Sequence, residues 1–491
     1  MRNQFVRPVS QRARHSAIRS TALMVVALAL VMAGAISSAA AQSSAGAIGS
    51  AAAQSYTYVN LAGIGTAKVP WPFGGDPAPG RDDLNYFFDF EPGGVNAFGD
   101  LAYGCDLESA GNPVGEAIYA RVGGITTRIM RAGDPAPGGG TFGGFGVFSP
   151  VDISNSGQVA FSFGLEPFTS PVGANAGLYR YDSSTGVLRA LMVPYVTDAP
   201  GGGKFQGSLF RASINNNGDV VFPGIVPSTA GRCPNGLGLG VYKVNLQGRI
   251  QKVMEPGDNA PGGGRFDMAS NPSINDRGDT AFGAHVAGEE CNGAGDCTCF
   301  ESVYFKSGAS DKIVSVAHQG APAPGGGTYR IAYGPYLNNK GSMVFIGDLT
   351  PAPDFGLNLA VYLYDGKKTL RIAGPGDPMP GGGNFVTESF NISNYDINSN
   401  GDVSFLAALD TSTGGVPDTG VYVRKSKGAI VLVARTGTVI PGLGTVAHIR
   451  HPYNVGAPQP SSSALLSDGG AVVFVVTMED GSTLMIQAIP N

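Results

Sequence analysis

The motif Asn-x-x-Gly-x-x-x-Phe recurs along this chain at intervals of about 60 residues. Clear copies begin at Asn215, Asn275, Asn338 and Asn398. Weaker copies begin at Asn96, Ser154 and Ser467. Self-similarity at a fixed period restricts the fold to architectures in which copies of one supersecondary unit pack against each other.

Each repeat contains the elements of four short strands, as the third repeat illustrates. We expect strands at Phe205–Ile214, Asp219–Phe222, Gly240–Val244 and Arg249–Val253, with the Asn-x-x-Gly segment as the hairpin turn between the first two. The fourth strand leads into a Gly-Asp-x-x-Pro-Gly-Gly-Gly loop, which recurs between successive copies of the first motif.

Four antiparallel strands in about 60 residues are typical of a β-propeller blade. A linear β-solenoid would use shorter coils and parallel strands, and no linker interrupts the repeats to suggest two smaller domains. We therefore predict an all-β chain, a seven-bladed β-propeller of four-stranded antiparallel blades. The blades are expected at about 80–137, 138–200, 201–261, 262–324, 325–380, 381–441 and 442–491.

The two ends of the repeat array complement each other. The seventh repeat stops after its third strand, and the segment 55–62 supplies one spare strand ahead of the first repeat. Pairing of this N-terminal strand with the last repeat would close the ring and cover two sheet edges that otherwise invite aggregation. We predict that 55–62 is the closing strand of the 55–491 propeller domain.

The N-terminal segment 1–41 has the features of a secretory signal peptide. It carries five arginines and no acidic residue, then an apolar run from Thr21 to Ile36, then Ala39-Ala40-Ala41. An uncleaved membrane anchor is the alternative, but the run is short and alanine-rich. We expect cleavage after Ala41, a flexible linker at 42–54, and a periplasmic or secreted protein with no membrane span after cleavage.

Loss of those five arginines makes the mature chain more acidic than the full sequence. The full chain has 32 basic and 37 acidic residues, so removal of the segment changes the formal charge from −5 to −10. This charge disfavours nucleic acid and anionic membranes as partners. Cations, neutral glycans and basic protein surfaces are better expectations.

The Asn-x-x-Gly-x-x-x-Phe repeats resemble those of bacterial exported tandem-repeat proteins whose C-terminal anchors vary. The resemblance covers nearly the whole mature chain. It implies a cell-surface or secreted protein and brings no catalytic residue with it. The end of this chain departs from that pattern, because only Pro490-Asn491 follow Ile489, with no apolar tail or sorting motif. A soluble exported form is therefore expected.

Five cysteines follow the signal segment in a compartment where disulfides form. The candidates for disulfides are Cys105, Cys233, Cys291, Cys297 and Cys299. The odd number leaves at least one thiol free or paired between chains. A metal knuckle at Cys291-x5-Cys297-x-Cys299 has no second cluster or spaced histidine to support it, so a local disulfide is favoured.

The aspartates of the connecting loops would form a partial ring on one face, interrupted at Ala321 and Thr438. Its members are Asp76, Asp134, Asp198, Asp258 and Asp377. Such a ring could bind a cation such as calcium. The alternative, which we favour, is that each carboxylate caps the turn in which it lies. No other cofactor is indicated.

One cluster in the last repeat could support acid–base chemistry: His448, Arg450, His451 and Tyr453. These residues would suit an extracellular polysaccharide lyase or hydrolase. An ordinary polar rim is the alternative, and no nucleophile elbow, zinc motif or phosphate loop is present. The leading hypothesis is a non-enzymatic binding or scaffold module for a glycan or protein ligand on the loop face.

Overall fold

A computed structural model describes most of the region that contains the repeats. The described residues are 54–64, 78, 86–109, 112–143, 151–167, 176–209, 211–231, 236–289, 302–310, 312–351, 358–386, 395–413, 416–449 and 464–491.

The described secondary structure is entirely β. The N-terminal strand is β1 (Tyr56–Ile64). The first repeat contributes β2 (Tyr86–Val95), β3 (Leu101–Ser109), β4 (Asn112–Val122) and β5 (Ile125–Arg131). The second contributes β6 (Thr141–Phe142), β7 (Asp152–Ile153), β8 (Gln158–Glu166), β9 (Ala176–Asp182) and β10 (Val187–Met192). The third contributes β11 (Gly207–Ser208), β12 (Ser213–Ile214), β13 (Val220–Pro227), β14 (Leu237–Val244) and β15 (Ile250–Met254).

The remaining repeats continue the same pattern. The fourth contributes β16 (Phe266–Ile274), β17 (Thr280–Val286), β18 (Ser302–Lys306) and β19 (Ile313–Ala317). The fifth contributes β20 (Thr328–Leu337), β21 (Met343–Thr350), β22 (Leu359–Tyr364) and β23 (Thr369–Ala373). The sixth contributes β24 (Phe385–Val386), β25 (Tyr395–Ile397), β26 (Val403–Thr413), β27 (Val416–Arg424) and β28 (Ile430–Arg435). The seventh contributes β29 (Val439–Ile440), β30 (Gly444–His448), β31 (Leu465–Leu466), β32 (Val472–Met478) and β33 (Thr483–Pro490).

Strands that follow one another within a repeat pair in antiparallel register, for example β20 with β21, β21 with β22 and β22 with β23. Single bridges between Ala176 and Ser208 and between Leu239 and Met268 join the second, third and fourth repeats into one larger sheet. The all-β prediction is confirmed, and the antiparallel sheets have a propeller-like arrangement. The described segments include no helix with the length and apolarity needed to cross a membrane.

The first strand of each repeat is less regular than the sequence indicated. The predicted continuous strand Phe205–Ile214 is two short strands, β11 and β12, with Arg211 between them. In β16 the register shifts between Ser270 and Ser273, and in β20 between Tyr333 and Tyr336. Extra residues on one strand of a pair bend that strand away from its partner. The hydrophobic alternation contains no signal for such bulges.

Aromatic side chains fill the space between successive repeats. The motif phenylalanine stacks on a tyrosine of the third strand, as Phe282 does on Tyr304 with ring centroids 5.9 Å apart. A ring that follows the triple glycine meets that tyrosine edge-on, as Phe266 does at 4.9 Å. These packed, buried rings form much of the core. Gly224 makes room for one of them, because a Cβ there would lie 2.6 Å from the Phe205 ring.

The N-terminal strand pairs with the C-terminal one. Strand β1 is antiparallel to β33, with a register that runs from Tyr56 opposite Pro490 to Ile64 opposite Thr483. The Tyr58 hydroxyl also donates to the Val433 carbonyl oxygen in the sixth repeat at 2.5 Å. The spare segment 55–62 of the sequence therefore lies in the last repeat as its outermost strand.

Deletion of residues 55–62 should destabilise the whole repeat region in one cooperative transition. It would expose the edge of β33 and remove Tyr56 and Tyr58 from the apolar cluster that they pack against. We expect a loss of more than about 2 kcal/mol in unfolding free energy. Thermal melts followed by circular dichroism would measure it, and a synthetic 55–64 peptide should restore part of the loss. An unchanged melting temperature would contradict this role.

Candidate functional site

The asparagine that begins the repeat motif forms hydrogen bonds in two directions. In the fifth repeat, Asn338 Oδ1 accepts the N–H groups of Lys340 at 3.0 Å and Ser342 at 2.9 Å within its own turn. Its Nδ2 donates to the Asn398 carbonyl oxygen of the next repeat at 3.0 Å. The same outward bond joins Asn96 to Ser154, Asn215 to Asn275, Asn275 to Asn338 and Asn398 to Ser467. The turns are thereby linked in series.

The next residue of the turn forms a second series of links. The Asn339 carboxamide oxygen accepts the Asp276 N–H at 2.9 Å, and the Asp468 carboxylate accepts the Ser399 N–H at 2.7 Å. Equivalent bonds run from Ala97 to Asn155, from Asn155 to Asn216 and from Asn216 to Asp276. This position therefore carries a side-chain acceptor because the preceding repeat supplies an amide.

A third series explains two partly buried aspartates, Asp152 and Asp396. The backbone N–H of the residue just before the motif donates to a side-chain acceptor of the preceding repeat where one is available. Ser273 Oγ accepts the Leu337 N–H at 3.0 Å in this way. Asp152 accepts its own Ile153 N–H at 2.9 Å with one oxygen and the Ile214 N–H of the next repeat at 3.0 Å with the other.

Asp396 makes the same pair of bonds, to its own Ile397 N–H at 2.8 Å and to the Leu466 N–H of the next repeat at 2.9 Å. At the corresponding position, Gly94 precedes Asp152 and Tyr336 precedes Asp396, and among the described residues neither supplies a side-chain acceptor to the next repeat. A carboxylate has two oxygens, so one aspartate can serve both amides. The two aspartates thus occur where the preceding repeat lacks an acceptor.

Arg211 lies between these carboxylates and completes what we term the axial cluster: Asp152, Arg211, Tyr336 and Asp396. Its guanidinium carbon lies 3.7 Å from the centre of the Tyr336 ring, a cation–π contact. Its Nη2 lies 3.9 Å from Asp152 Oδ2. The side chain is 8% exposed, and its Nε has no hydrogen-bond partner in the structure. Residues from the second, third, fifth and sixth repeats meet in this cluster.

A cavity of about 130 Å³ is lined by the axial cluster together with Ser213, Ser273 and the turn residues. Burial raises the pKa of Asp396 to about 7, and Asp152 adds to the increase, although two backbone N–H groups and Arg211 oppose it. Burial lowers the pKa of Arg211, but Tyr336 and the two carboxylates outweigh it and leave that pKa raised. The cluster thus places one cation beside two acidic groups in a confined space.

The predicted acid–base cluster is only partly within the described residues. His448 is half-buried at the end of β30, where it pairs with Thr477 of β32. Arg450, His451 and Tyr453 lie outside the described residues, so their convergence stays a prediction.

The loop aspartates form hydrogen bonds to their own turns. Asp134, Asp258 and Asp377 each accept the backbone N–H three residues earlier at 2.9 Å. Thr438, which the sequence suggested was a break in the ring, accepts the equivalent N–H of Arg435, also at 2.9 Å. Where a side chain accepts this N–H, it thus need not be charged.

Asp198 is not equivalent to the other loop aspartates. Thr197 Oγ1 accepts the Val193 N–H in this loop, and Asp198 instead pairs across the loop with Lys204. An extra residue in this loop accounts for the difference, because Tyr195 takes the place of the usual glycine at a φ of 61°. Asp76 lies outside the described residues. Within the described ranges, no three His, Cys, Asp or Glu side chains are placed to hold a metal ion.

Of the disulfide candidates, the structure describes Cys105, which is buried on β3 in an apolar cluster. Cys233, Cys291, Cys297 and Cys299 lie outside the described residues.

Sequence reasoning missed a buried pair in the fourth repeat. His285 Nδ1 lies 2.7 Å from Asp267 Oδ1, and both side chains are almost fully buried.

Sequence reasoning also missed the axial cluster. The available signal was the position two residues before each motif, occupied by Gly94, Asp152, Ser213, Ser273, Tyr336, Asp396 and Leu465. The role of the polar residues at this position is evident only from the structure, in which they accept backbone N–H groups of the next repeat.

The repeats, strand pairing and inter-repeat hydrogen bonds define an all-β repeat protein of propeller-like architecture. The chain belongs to a family of unknown function, DUF7453, which matches residues 46–486. No curated protein matches the chain.

Solved structures that are similar have low sequence identity. An oligogalacturonate lyase in complex with manganese is 12% identical with a TM-score of 0.46, covering 82% of this chain and 91% of the lyase. The β-propeller domain of the trilobed protease from Pyrococcus furiosus is 11% identical with a TM-score of 0.44. The match covers 83% of this chain and 96% of that domain. A polysaccharide lyase of family PL25, an ulvan lyase, is 11% identical with a TM-score of 0.41. The match covers 79% of this chain and 90% of the lyase.

Replacement of Asn338 by alanine should destabilise the protein by about 2–4 kcal/mol, because it removes three hydrogen bonds and leaves buried backbone groups without partners. Asn338→Asp should cost less, since the carboxylate keeps the acceptor and loses only the donor to Asn398. Lys340→Ala, at an exposed position of the same turn, should change little. Urea unfolding of the three variants would measure these differences. Equal stabilities of Asn338→Ala and Lys340→Ala would show that the asparagine is not a link between repeats.

The raised pKa of Asp396 predicts that stability falls as pH rises from 6 to 8. The folded protein holds this proton more strongly than the unfolded chain, so the stabilisation is complete below about pH 4 and is lost through pH 7. Asp396→Asn should remove this component, which amounts to at most about 1.4 kcal/mol per pH unit. Asp365→Asn is the control, because backbone N–H groups lower the pKa of Asp365. Its titration therefore affects stability only at acidic pH. Identical profiles for wild type and Asp396→Asn between pH 6 and 8 would contradict the assignment.

Proposed function

We propose that this protein is an exported seven-bladed β-propeller that acts as a binding or scaffold module for a glycan or protein ligand. The seven-blade count is supported by the seven copies of the motif, each with its own antiparallel strands, and by β1, which completes the last group. Cleavage after Ala41 would release the mature chain into the periplasm or the medium.

The main support for a binding role is the contrast between the two ends of the repeats. At the turn end, the repeated asparagines, serines and aspartates are occupied by hydrogen bonds between repeats. At the other end, the connection between second and third strands varies from 110–111 in the first repeat to 287–301 in the fourth. Variable loops on a rigid scaffold are where binding residues usually lie.

The charge of the mature chain narrows the ligand class. A formal charge of −10 favours neutral glycans and basic protein surfaces over nucleic acid and anionic membranes.

The enzymatic alternative is a polysaccharide lyase or hydrolase that uses His448, Arg450, His451 and Tyr453. It rests on the clustering of these residue types in one repeat of the sequence. Polysaccharide cleavage that His448→Ala and His451→Ala both abolish would favour it over the binding role. Cleavage that survives in both variants would remove these residues as the site.

A glycan array and a pull-down with the mature protein would test the binding role. We expect a ligand whose affinity falls at least tenfold when 287–301 is replaced by a two-residue Gly-Ser turn, with an unchanged melting temperature. Lys340→Ala, on the turn end of the fifth repeat, is the matched control and should bind normally. The proposal fails if no ligand is found, or if binding is unaffected when all the variable connections are shortened.

A further inference from the structure

The two kinds of hairpin turn in a repeat lie at the same end of that repeat. Asp100 Oδ1 accepts the Gly123 N–H at 2.8 Å, which joins the turn before β3 to the turn before β5. An equivalent bond of 2.9 Å runs from the Gly308 N–H to Asp279 Oδ1 in the fourth repeat. Because the motif asparagines also link the turns of successive repeats, these turns form one linked surface, the turn end.

Repeats one to three expose large apolar side chains on this surface. Phe98 and Ile125, at the two neighbouring turns of the first repeat, are 76% and 73% exposed. Val187 and Leu246 are also exposed, and they line the same groove of about 440 Å³ between the second and third repeats. Single exposed apolar residues are normal on a protein surface, but neighbouring ones indicate an interaction site.

Repeats three to six expose basic side chains on the same surface. They are Arg249, Lys312, Lys340, Lys367, Lys368 and Lys427. Among the described residues, no carboxylate oxygen lies within 4.0 Å of any of them. Of the described acidic residues in these turns, only Asp365 is exposed, and others such as Asp276 and Asp402 are partly buried and accept backbone N–H groups. The outermost charges of the turn end are therefore mostly positive.

The net charge of −10 for the mature chain does not describe this surface. The loop aspartates Asp134, Asp258 and Asp377 lie at the opposite ends of the strands, and an eight-residue strand such as β21 spans about 26 Å. Electrostatic interactions at physiological salt are screened over about 8 Å. An object at the turn end is therefore attracted by the local basic residues and is little affected by the acidic loop end.

We propose that the turn end binds the surface of an anionic lipid bilayer. The basic side chains of repeats three to six contact the lipid phosphates, and Phe98 and Ile125 insert among the headgroups and upper acyl chains. A soluble polyanion would match only the basic residues, and a neutral bilayer only the apolar ones. The variable loop end then faces away from the membrane, so this proposal adds an orientation to the binding role and does not depend on the ligand of that end.

Co-sedimentation of the mature protein with lipid vesicles tests the proposal. At about 0.15 M salt we expect binding to mixed vesicles of phosphatidylglycerol and phosphatidylcholine that is at least about tenfold tighter than binding to phosphatidylcholine alone. Binding should weaken as the salt is raised to about 1 M, where screening acts over about 3 Å. No binding to the mixed vesicles, or equal binding to both kinds, would overturn the proposal.

Charge reversal locates the contact. Lys367→Glu with Lys368→Glu should weaken binding to the mixed vesicles at least about tenfold. Lys204→Glu with Arg265→Glu is the matched control, since it makes the same change in net charge at exposed positions of the loop end, and it should bind as the wild type does. Circular dichroism verifies the fold of both variants. Equal losses in the two variants would show that net charge controls binding and would contradict a contact at the turn end.

Apolar substitutions separate a lipid surface from a soluble polyanion. Phe98→Ser with Ile125→Ser should weaken binding to the mixed vesicles at least about tenfold. Val196→Ser with Val439→Ser, which are exposed at the loop end, should leave it unchanged. Binding that Phe98→Ser with Ile125→Ser does not alter would mean a purely electrostatic site and would overturn the lipid assignment. Sedimentation velocity without vesicles tests for a second copy on this surface, and self-association that Lys367→Glu with Lys368→Glu abolishes would also overturn it.

Discussion

The outward hydrogen bond of the motif asparagine is the interaction on which the rest of the structure depends. A turn residue normally stabilises only its own turn, and Oδ1 of this residue does so. Its Nδ2 donates to the carbonyl oxygen of the first motif residue in the next repeat, about 60 residues away. One side chain therefore fixes both the local hairpin and the position of its neighbour. This double role gives a physical reason for asparagine at the position, since an ionised aspartate can only accept and a serine must donate and accept through one atom.

The axial cluster follows from the same constraint. The backbone N–H groups just before the motifs lie next to side chains of the preceding repeat, and buried N–H groups need acceptors. Serines supply them between some repeats, and Asp152 and Asp396 supply two each where Gly94 or Tyr336 precedes them. The two partly buried carboxylates then make a nearby cation favourable, and Arg211 occupies that place. Satisfying backbone amides thus creates a charged cavity near the centre of the molecule.

The sequence was sufficient to predict the all-β class and the position of most strands, because the repeats display the same hairpin several times. It also placed a spare N-terminal strand, which the structure pairs with β33. The bulges of the inner strands were not predictable, since hydrophobic alternation does not encode an extra residue. The convergence of Asp152, Arg211 and Asp396 was also missed, because their separation in sequence gives no signal until neighbouring repeats are superposed. Asp198 was grouped with the wrong residues for a related reason: one inserted residue moved Thr197 into the capping position.

The central claim is that hydrogen bonds from turn to turn make the repeats one cooperative unit. Native-state hydrogen exchange followed by mass spectrometry tests it most directly. The account predicts that the amides of the second strands, β3, β8, β13, β17, β21, β26 and β32, exchange with one common opening free energy equal to that of global unfolding. A gradient of protection along the chain, with terminal repeats opening independently of central ones, would contradict it.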